Sequence, residues 1–290
     1  MSKSQSAARQ TRGWFWLIIG WVWLTANIAQ AGEIGRESLT AVLGAMPDEV
    51  RLLAGRLQGQ HAEEQLGMKF FTGTLAGRRV VLAYTGVGKV NAAMTTTLML
   101  DRYHPTEVLF TGVAGGINTN LGPGDIVLGE RVAQHDFGEV SDREFQTHST
   151  VNPMTDKQNP IFFAGAERLL LLAETAAKSM KWEHLATTQG DRTPRVTRGV
   201  IVTGDVFVAS PVKSAELRKK FTADAVEMEG GAVAQVCAQQ GLPCLIIRSL
   251  SDRADAAADL DFKKFFRTAA ANSAHLTEAI LGKLARETAP

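Results

Sequence analysis

The chain is short of the features that would place it in several large functional classes. It has two cysteines in 290 residues, Cys237 and Cys244. Two thiols do not make a disulfide framework. Both stand in apolar surroundings across an apparent helix-to-strand junction and read as buried free thiols, with one bridge left open if the protein is exported. Charge of one sign is also missing: 31 Lys and Arg stand against 30 Asp and Glu, a formal net charge of +1. The densest basic run is Arg218-Lys219-Lys220, which reads as a solvated helix face, so no nucleic-acid or other polyanionic partner is expected. The six histidines, at 61, 104, 135, 148, 184 and 275, lack metal-ligand spacing, and neither metal nor cofactor is expected. Heptads, repeats and low-complexity linkers are absent too.

Two nucleotide signatures fail on single positions. Thr85-Gly86-Val87-Gly88-Lys89-Val90 has the look of a phosphate loop, but position 83 is Ala and position 90 is neither Ser nor Thr. The same stretch carries Asn91 where a dinucleotide fingerprint needs its third glycine.

The first 31 residues differ from the rest. Lys3, Arg9 and Arg12 precede an uncharged apolar run from Trp14 to Ala26, and Ala29-Gln30-Ala31 offers small residues for processing. Thirteen apolar residues fall short of the ~20 that a spanning helix needs, so the pattern is that of a secretory signal cleaved after Ala31 rather than a lasting membrane anchor. Four of the five tryptophans lie in it and say nothing about the core. Its removal takes away three cations and no acid, moving the formal charge from +1 to −2. The expected location is therefore outside the cytoplasm, periplasmic or secreted.

From residue 40 onward, short β-rich runs alternate with longer helical stretches, which predicts one α/β domain over 32–290. Strands are expected at Thr40–Met46, Phe70–Leu75, Arg79–Thr85, Val108–Thr111, Asp125–Gln134, Val200–Thr203, Ala225–Met228 and Cys244–Ser249. Several are apolar on both faces, as in a central sheet covered by helices. Helices are expected at Pro47–Arg56, Lys89–Arg102, Phe163–Lys178, Pro211–Lys220, Glu229–Gln239 and Asp261–Ala285. The stretch 139–195 is the least regular and reads as an inserted loop region, part of it covering the site.

Four segments at apparent strand ends carry the chemistry-bearing residues, where an open α/β sheet usually binds its ligand. Gly44-Ala45-Met46-Pro47-Asp48-Glu49-Val50 puts Glu49 in a first helical turn, either complementing the helix dipole or doing chemistry. Thr111-Gly112-Val113-Ala114-Gly115-Gly116 admits close approach of backbone to a ligand, or else forms tight turns. Thr203-Gly204-Asp205-Val206-Phe207-Val208 sets an aromatic just beyond a strand, as core or as a stacking surface. Finally, Val226-Glu227-Met228-Glu229-Gly230-Gly231 and Arg248-Ser249-Leu250-Ser251-Asp252 embed charge in apolar runs. Buried charges require partners or a function.

The run VEMEGGAVAQVC with RSLSDRAD resembles the nucleoside phosphorylase and nucleosidase superfamily, specifically the methylthioadenosine/S-adenosylhomocysteine nucleosidases. GAMPDEV, TGVGKVNAA, TGVAGG, GDIV and GDVF follow in that family's order, so the resemblance spans about residues 40–285 apart from the irregular stretch. It implies a three-layer sandwich with a central twisted mixed sheet flanked by helices, and a hydrolase that releases adenine from methylthioadenosine or S-adenosylhomocysteine. By matching position, Glu49 would orient and deprotonate the attacking water, and Asp252 would donate a proton to purine N7. Glu229 would hold the ribose hydroxyls, with Arg248 near water and ribose. Phe207 would stack on the base, backbone around Val208 would read its edge, and Met46, Val87 and Met228 would line the sugar and 5′-substituent pocket. Glu227 and Ser251 would support them. Relatives of this kind are commonly homodimers, and His135-Asp136-Phe137 would serve at such a contact.

The chemistry fits those residue types. Cleaving an N-glycosidic bond passes through a sugar with oxocarbenium character, so one carboxyl must protonate the leaving base while another presents water on the opposite face. A desolvated site with nearby negative charge keeps the acid protonated near neutral pH. One departure stands out: Val113 occupies a position where many relatives carry serine. Loss of that hydroxyl, and carboxylates in GAMPDEV where a phosphorylase would place arginine, argue for water over phosphate. Two other readings remain: a hydrolase of another purine nucleoside, such as futalosine or inosine, and an exported nucleoside-binding protein with little activity.

Overall fold

The computed structural model describes residues 38–142, 144–187 and 190–287. The segment read as a secretory signal lies outside the described residues. The strands are β1 (Leu39–Gly44), β2 (Gln58–Gln65), β3 (Met68–Leu75), β4 (Arg78–Tyr84), β5 (Glu107–Gly116), β6 (Ile126–Gln134), β7 (Gly138–Val140), β8 (Phe145–Thr147), β9 (Val151–Asn152), β10 (Lys157–Gln158), β11 (Phe162–Ala164), β12 (Leu185–Thr187), β13 (Gly190–Arg192), β14 (Val196–Thr203), β15 (Ala225–Glu227) and β16 (Cys244–Asp252). The helices are α1 (Pro47–Ala54), α2 (Lys89–Tyr103), α3 (Glu167–Ala177), α4 (Pro211–Phe221), α5 (Gly230–Gln239) and α6 (Ala258–Glu287).

Ten strands form one mixed sheet in the order β11-β6-β14-β15-β5-β1-β4-β3-β2, with β16 bonded to both β5 and β6. Strands β4, β1, β5 and β16 run parallel, so their carboxyl ends open on one edge. β15 meets the end of β5 antiparallel and runs parallel to β14, which brings two further strand ends to the same place. Helices cover both faces. α2 and α5 pack together on one side, over a core that includes Leu43, Phe70, Phe110 and Ile246. On the other, α1, α3 and α6 cover Val42, Leu82, Leu109 and Ile247. Neighbouring residues of β1 and β5 thus feed opposite cores, which is why these strands read as unbroken apolar runs. Each fully buried Leu or Phe contributes about 1.5–3 kcal/mol through removal of apolar surface from water.

The expected three-layer α/β architecture is the observed one, with three corrections in detail. The glycine-rich Thr111–Gly116 is not a pair of tight turns but the second half of β5. Its small side chains are required there, because the strand is bonded to β16 along its length and to β15 at its end, with buried side chains pressed against it. The expected helix from Phe163 is instead a short strand, β11, antiparallel to β6, followed by α3 from Glu167. Strand β2 carried no apolar signal, since an exposed edge strand holds on through backbone bonds to β3.

The stretch 139–195 is also more ordered than a loop insert. It contains the β9–β10 hairpin, most of β7–β8 and β12–β13, together with β11 and α3, which belong to the main sheet and its covering layer. Cys237 and Cys244 are buried and unbridged.

Candidate active site

The open edge of the sheet is built around carboxylates taken out of water. Strand β1 ends at Gly44, and Pro47 starts α1 with its fixed φ after Met46 in extended conformation. One turn in, Glu49 folds back onto the strand end. Its Oε2 accepts from the backbone N–H groups of Ala45 at 2.6 Å and Met46 at 2.8 Å, and its Oε1 accepts from Val113 N–H at 3.0 Å. The carboxyl therefore ties β1, α1 and β5 together. A Cβ on Gly112 would lie 2.6 Å from Glu49 Oε1, so only glycine lets β5 pass so close. Burial raises the proton affinity of Glu49, against the opposing pull of Arg248 and those three N–H groups.

Glu227 ends β15 and is engaged at both oxygens. Its Oε2 accepts from Arg248 Nη2 at 2.8 Å and from the Gly230 N–H at 2.7 Å, while Thr203 donates to Oε1. Arg248, 1% exposed, also donates to the carbonyls of Phe110 and Ile247 and lies over the Phe110 ring at 4.1 Å. Two residues further, Glu229 accepts from Gly88 N–H at 2.8 Å through Oε1. Among the described residues Oε2 of Glu229 makes no hydrogen bond. Burial first, then the charge of Glu227, push Glu229 up to about 8.

Asp252 ends β16 beyond a bulge. Leu250 faces Ala114 and Asp252 faces Gly115, which leaves Ser251 as the extra residue and turns both side chains toward the edge. Ser251 Oγ donates to Asp252 Oδ2 at 2.8 Å, and Ala254 N–H donates to Oδ1 at 2.8 Å. Burial outweighs those two bonds, and Asp261 and Asp255 add to it, so Asp252 holds its proton more tightly than a free aspartate.

These groups face a cavity of about 320 Å³. Nine of the eleven site residues expected from the sequence line it: Glu49, Asp252, Glu229, Met46, Val87, Phe207, Glu227, Met228 and Ser251. Two do not. Arg248 lies behind the cavity wall, bonded to Glu227 from within the sheet. The Val208 side chain packs into the core with Leu217 and Phe221.

Phe262 and Asp259, from the start of α6, complete the wall and were not singled out from sequence. Phe262 meets half-exposed Phe207 edge to face, with ring centroids 6.2 Å apart. Its only sequence signal, an aromatic in an amphipathic helix, is the same for a core residue. Val113 faces the cavity as an apolar patch.

Residues 40–282 match the phosphorylase superfamily, and the chain belongs to that family. Within it, the chain is 40% identical over 245 residues to the 5′-methylthioadenosine/S-adenosylhomocysteine nucleosidase of Bacillus thuringiensis (strain Al Hakam), covering 84% of this chain and 98% of that one. The crystal structure of the nucleosidase of the same name from Neisseria meningitidis, in complex with methylthio-immucillin-A, superposes with a TM-score of 0.74 at 38% identity, covering 85% of this chain and 99% of that one. The futalosine hydrolase of Helicobacter pylori strain 26695 superposes with a TM-score of 0.73 at 30% identity, covering 85% and 98% respectively.

Proposed function

We propose that this protein hydrolyses the N-glycosidic bond of 5′-methylthioadenosine and S-adenosylhomocysteine, releasing adenine and the thioribose. One observation carries the choice of water over phosphate: the cavity is lined by Glu49, Glu227, Glu229, Asp252 and Asp259, and by no Lys or Arg among the described residues. A phosphate dianion brought there would meet carboxyl groups and find no Lys or Arg in the wall to bind it, whereas a neutral water needs none.

The chemistry follows from what each carboxyl has left to offer. Glu49 Oε1 is engaged by one N–H, and a carboxylate oxygen accepts two hydrogen bonds, so one position remains to orient and deprotonate water. Asp252, with raised proton affinity, is suited to carry the proton that N7 of the departing purine takes up. Glu229 offers Oε2 to the ribose hydroxyls. Bonds from those hydroxyls strengthen as positive charge develops on the ring, which favours the transition state over bound substrate. Phe207 gives the base an aromatic face, and Met46, Val87 and Met228 offer apolar surface to the 5′-thio substituent. Arg248 serves as a positioning residue by fixing Glu227 beneath Glu229.

Release of adenine from methylthioadenosine in phosphate-free buffer tests this reading. Turnover unaffected by added phosphate is the expected result, and a strict requirement for phosphate or no turnover of any purine nucleoside would overturn it. The likeness to a futalosine hydrolase supports a second substrate class for the same carboxylates, and a panel of methylthioadenosine, futalosine and inosine at equal concentration separates them.

The protein's assembly and location belong to the same proposal. Exposed Val90 and Met94 on one face of α2, with exposed Phe137 beyond β6, support a homodimer, which light scattering of the purified protein tests. The Lys3-to-Ala31 pattern supports export, which fractionation of cells and the N-terminal sequence of the recovered protein test.

A further inference from the structure

The glycine-lysine segment Thr85–Lys89, which fails as a phosphate loop, has a different partner in the fold. Lys89 N–H donates to Asp205 Oδ1 at 2.8 Å. Asp205 N–H donates to Asp136 Oδ2 at 2.8 Å. Lys89 Nζ closes the ring by donating to Asp136 Oδ1 at 2.6 Å. The first residue of α2, just after the loop that follows β4, is thus joined to one residue from each of the loops after β6 and β14 in one closed circuit of hydrogen bonds. Two of those loops reach the cavity: the first carries Val87 and the Gly88 N–H that binds Glu229, and the third carries Phe207.

The surroundings leave this circuit little freedom. Gly88 has φ +97°, a backbone conformation that side-chain-bearing residues avoid, and a Cβ there would lie 3.3 Å from Asp205 Oδ1. At Gly204 a Cβ would lie 2.3 Å from His135 Nε2 and 3.1 Å from Asp136 Cγ, so the loop rests directly on the two residues that follow β6. His135 is itself fixed by its N–H bond to the carbonyl of Thr203 at 2.8 Å. The side chains of Lys89 and Asp136 are 16% and 24% exposed, so their ion pair is partly shielded from water and salt. Burial works against the charge of Asp136, yet the Lys89 ammonium and the Asp205 N–H hold it below the ordinary aspartate value.

From this geometry we infer that Asp136, Lys89 and Asp205 are positioning residues, a latch that sets the Gly88 N–H against Glu229 and holds the Phe207 loop at a fixed distance from it. The inference rests on the roles proposed above for Glu229 and Phe207. Among the described residues no other side-chain hydrogen bond joins these two loops. Without the latch, the base-facing wall and the ribose-facing carboxylate fluctuate independently, and productive geometry is lost although every group touching substrate is intact.

A double-mutant cycle between Asp136→Ala and Glu229→Gln tests the coupling, read in kcat/KM for methylthioadenosine, in its Kd and in thermal stability. Asp136→Ala in the wild-type background is expected to lower kcat/KM about 10- to 100-fold, the span of one or two charged hydrogen bonds. With Glu229→Gln already present, the further loss is expected to be below about 3-fold, because the carboxylate it serves is gone. Asp136→Asn keeps an acceptor for the Asp205 N–H and is expected to lose less than Asp136→Ala, which separates the latch from a folding defect.

Equal fold losses in both backgrounds, or a variant as active as wild type, would overturn the inference. If wild type binds methylthioadenosine without turning it over, the hydrolytic reading fails, and the same cycle in Kd decides the latch: coupling supports it and additivity overturns it. A protein that neither binds nor turns over the nucleoside overturns both.

Discussion

Two buried carboxylate clusters sit at opposite ends of the central strands, and they are held in opposite ways. At the start of β5, Glu107 is 2% exposed and saturated: it accepts from Arg78 at 2.8 Å, from Arg168 at 2.7 Å and from the Thr40 hydroxyl. Burial alone would raise its proton affinity, but the hydroxyl and the two guanidinium groups more than reverse that, and Glu107 stays ionised below the usual carboxylate range. At the other end, Glu49, Glu229 and Asp252 are equally buried, yet burial prevails and all three hold protons more tightly than free carboxyls. The lesson is that burial does not mark a functional charge. Incomplete satisfaction does, because a carboxyl with spare acceptor positions and a shifted proton equilibrium can still exchange protons and ligands.

Asp252→Asn should break the open cluster most severely. It keeps shape and size but removes the transferable proton, so kcat is expected to fall about 10³-fold, or ~4 kcal/mol, with the melting temperature nearly unchanged. Adenine release measured on the folded variant checks this, and activity equal to wild type would dismiss Asp252 as the acid.

Glu107→Gln is the mirror experiment. It leaves two guanidinium groups facing a neutral amide and is expected to cost about 3 kcal/mol of folding stability by denaturant titration. Because the cluster makes no contact with the cavity, kcat/KM per folded molecule should stay within about twofold.

Glu229→Gln sharpens the contrast between binding and turnover. Kd for methylthioadenosine is expected to change by less than about threefold while kcat falls roughly 100-fold, since the charge acts mainly on the transition state. In wild type, kcat/KM should rise with pH through a limb at about 8 as Glu229 ionises, and that limb should vanish in the variant.

Stability against pH changes with opposite sign at the two ends. Between the ordinary value of 4.5 and about 8, the native protein keeps the Glu229 proton that the unfolded chain has lost, so this site makes stability fall as pH rises. Glu107, with its lowered value, contributes stability above 4.5 that is lost as pH drops through its folded-state pKa. Unfolding free energies of wild type, Glu107→Gln and Glu229→Gln across about pH 2 to 9 separate the two slopes, and identical profiles would refute the distinction.

Much of this was legible in the residues themselves. Apolar runs at Thr40–Leu43, Val108–Thr111 and Cys244–Ile247 reveal strands covered on both faces, because burial on two sides favours apolar side chains in succession. Glu227, Glu229, Arg248 and Asp252 stand out because charge inside such runs needs a reason. Polar β2 and the mixed strand β11 gave no such signal, since edge strands are held by backbone bonds that any residue supplies.

What the chain alone determined, then, is the layered α/β class and the identity of the groups that carry charge into the apolar interior, both consequences of local pattern. Tertiary structure decided which of those charges are spent and which are free. Arg248 and Glu227 neutralise each other inside the sheet, Phe262 arrives from a distant helix to face Phe207, and Lys89 at the start of α2 joins Asp136 and Asp205 from two separate loops. The reason is physical: a residue's type fixes how many hydrogen bonds and how much charge it can offer, but only its neighbours in space determine how many of those remain unfilled.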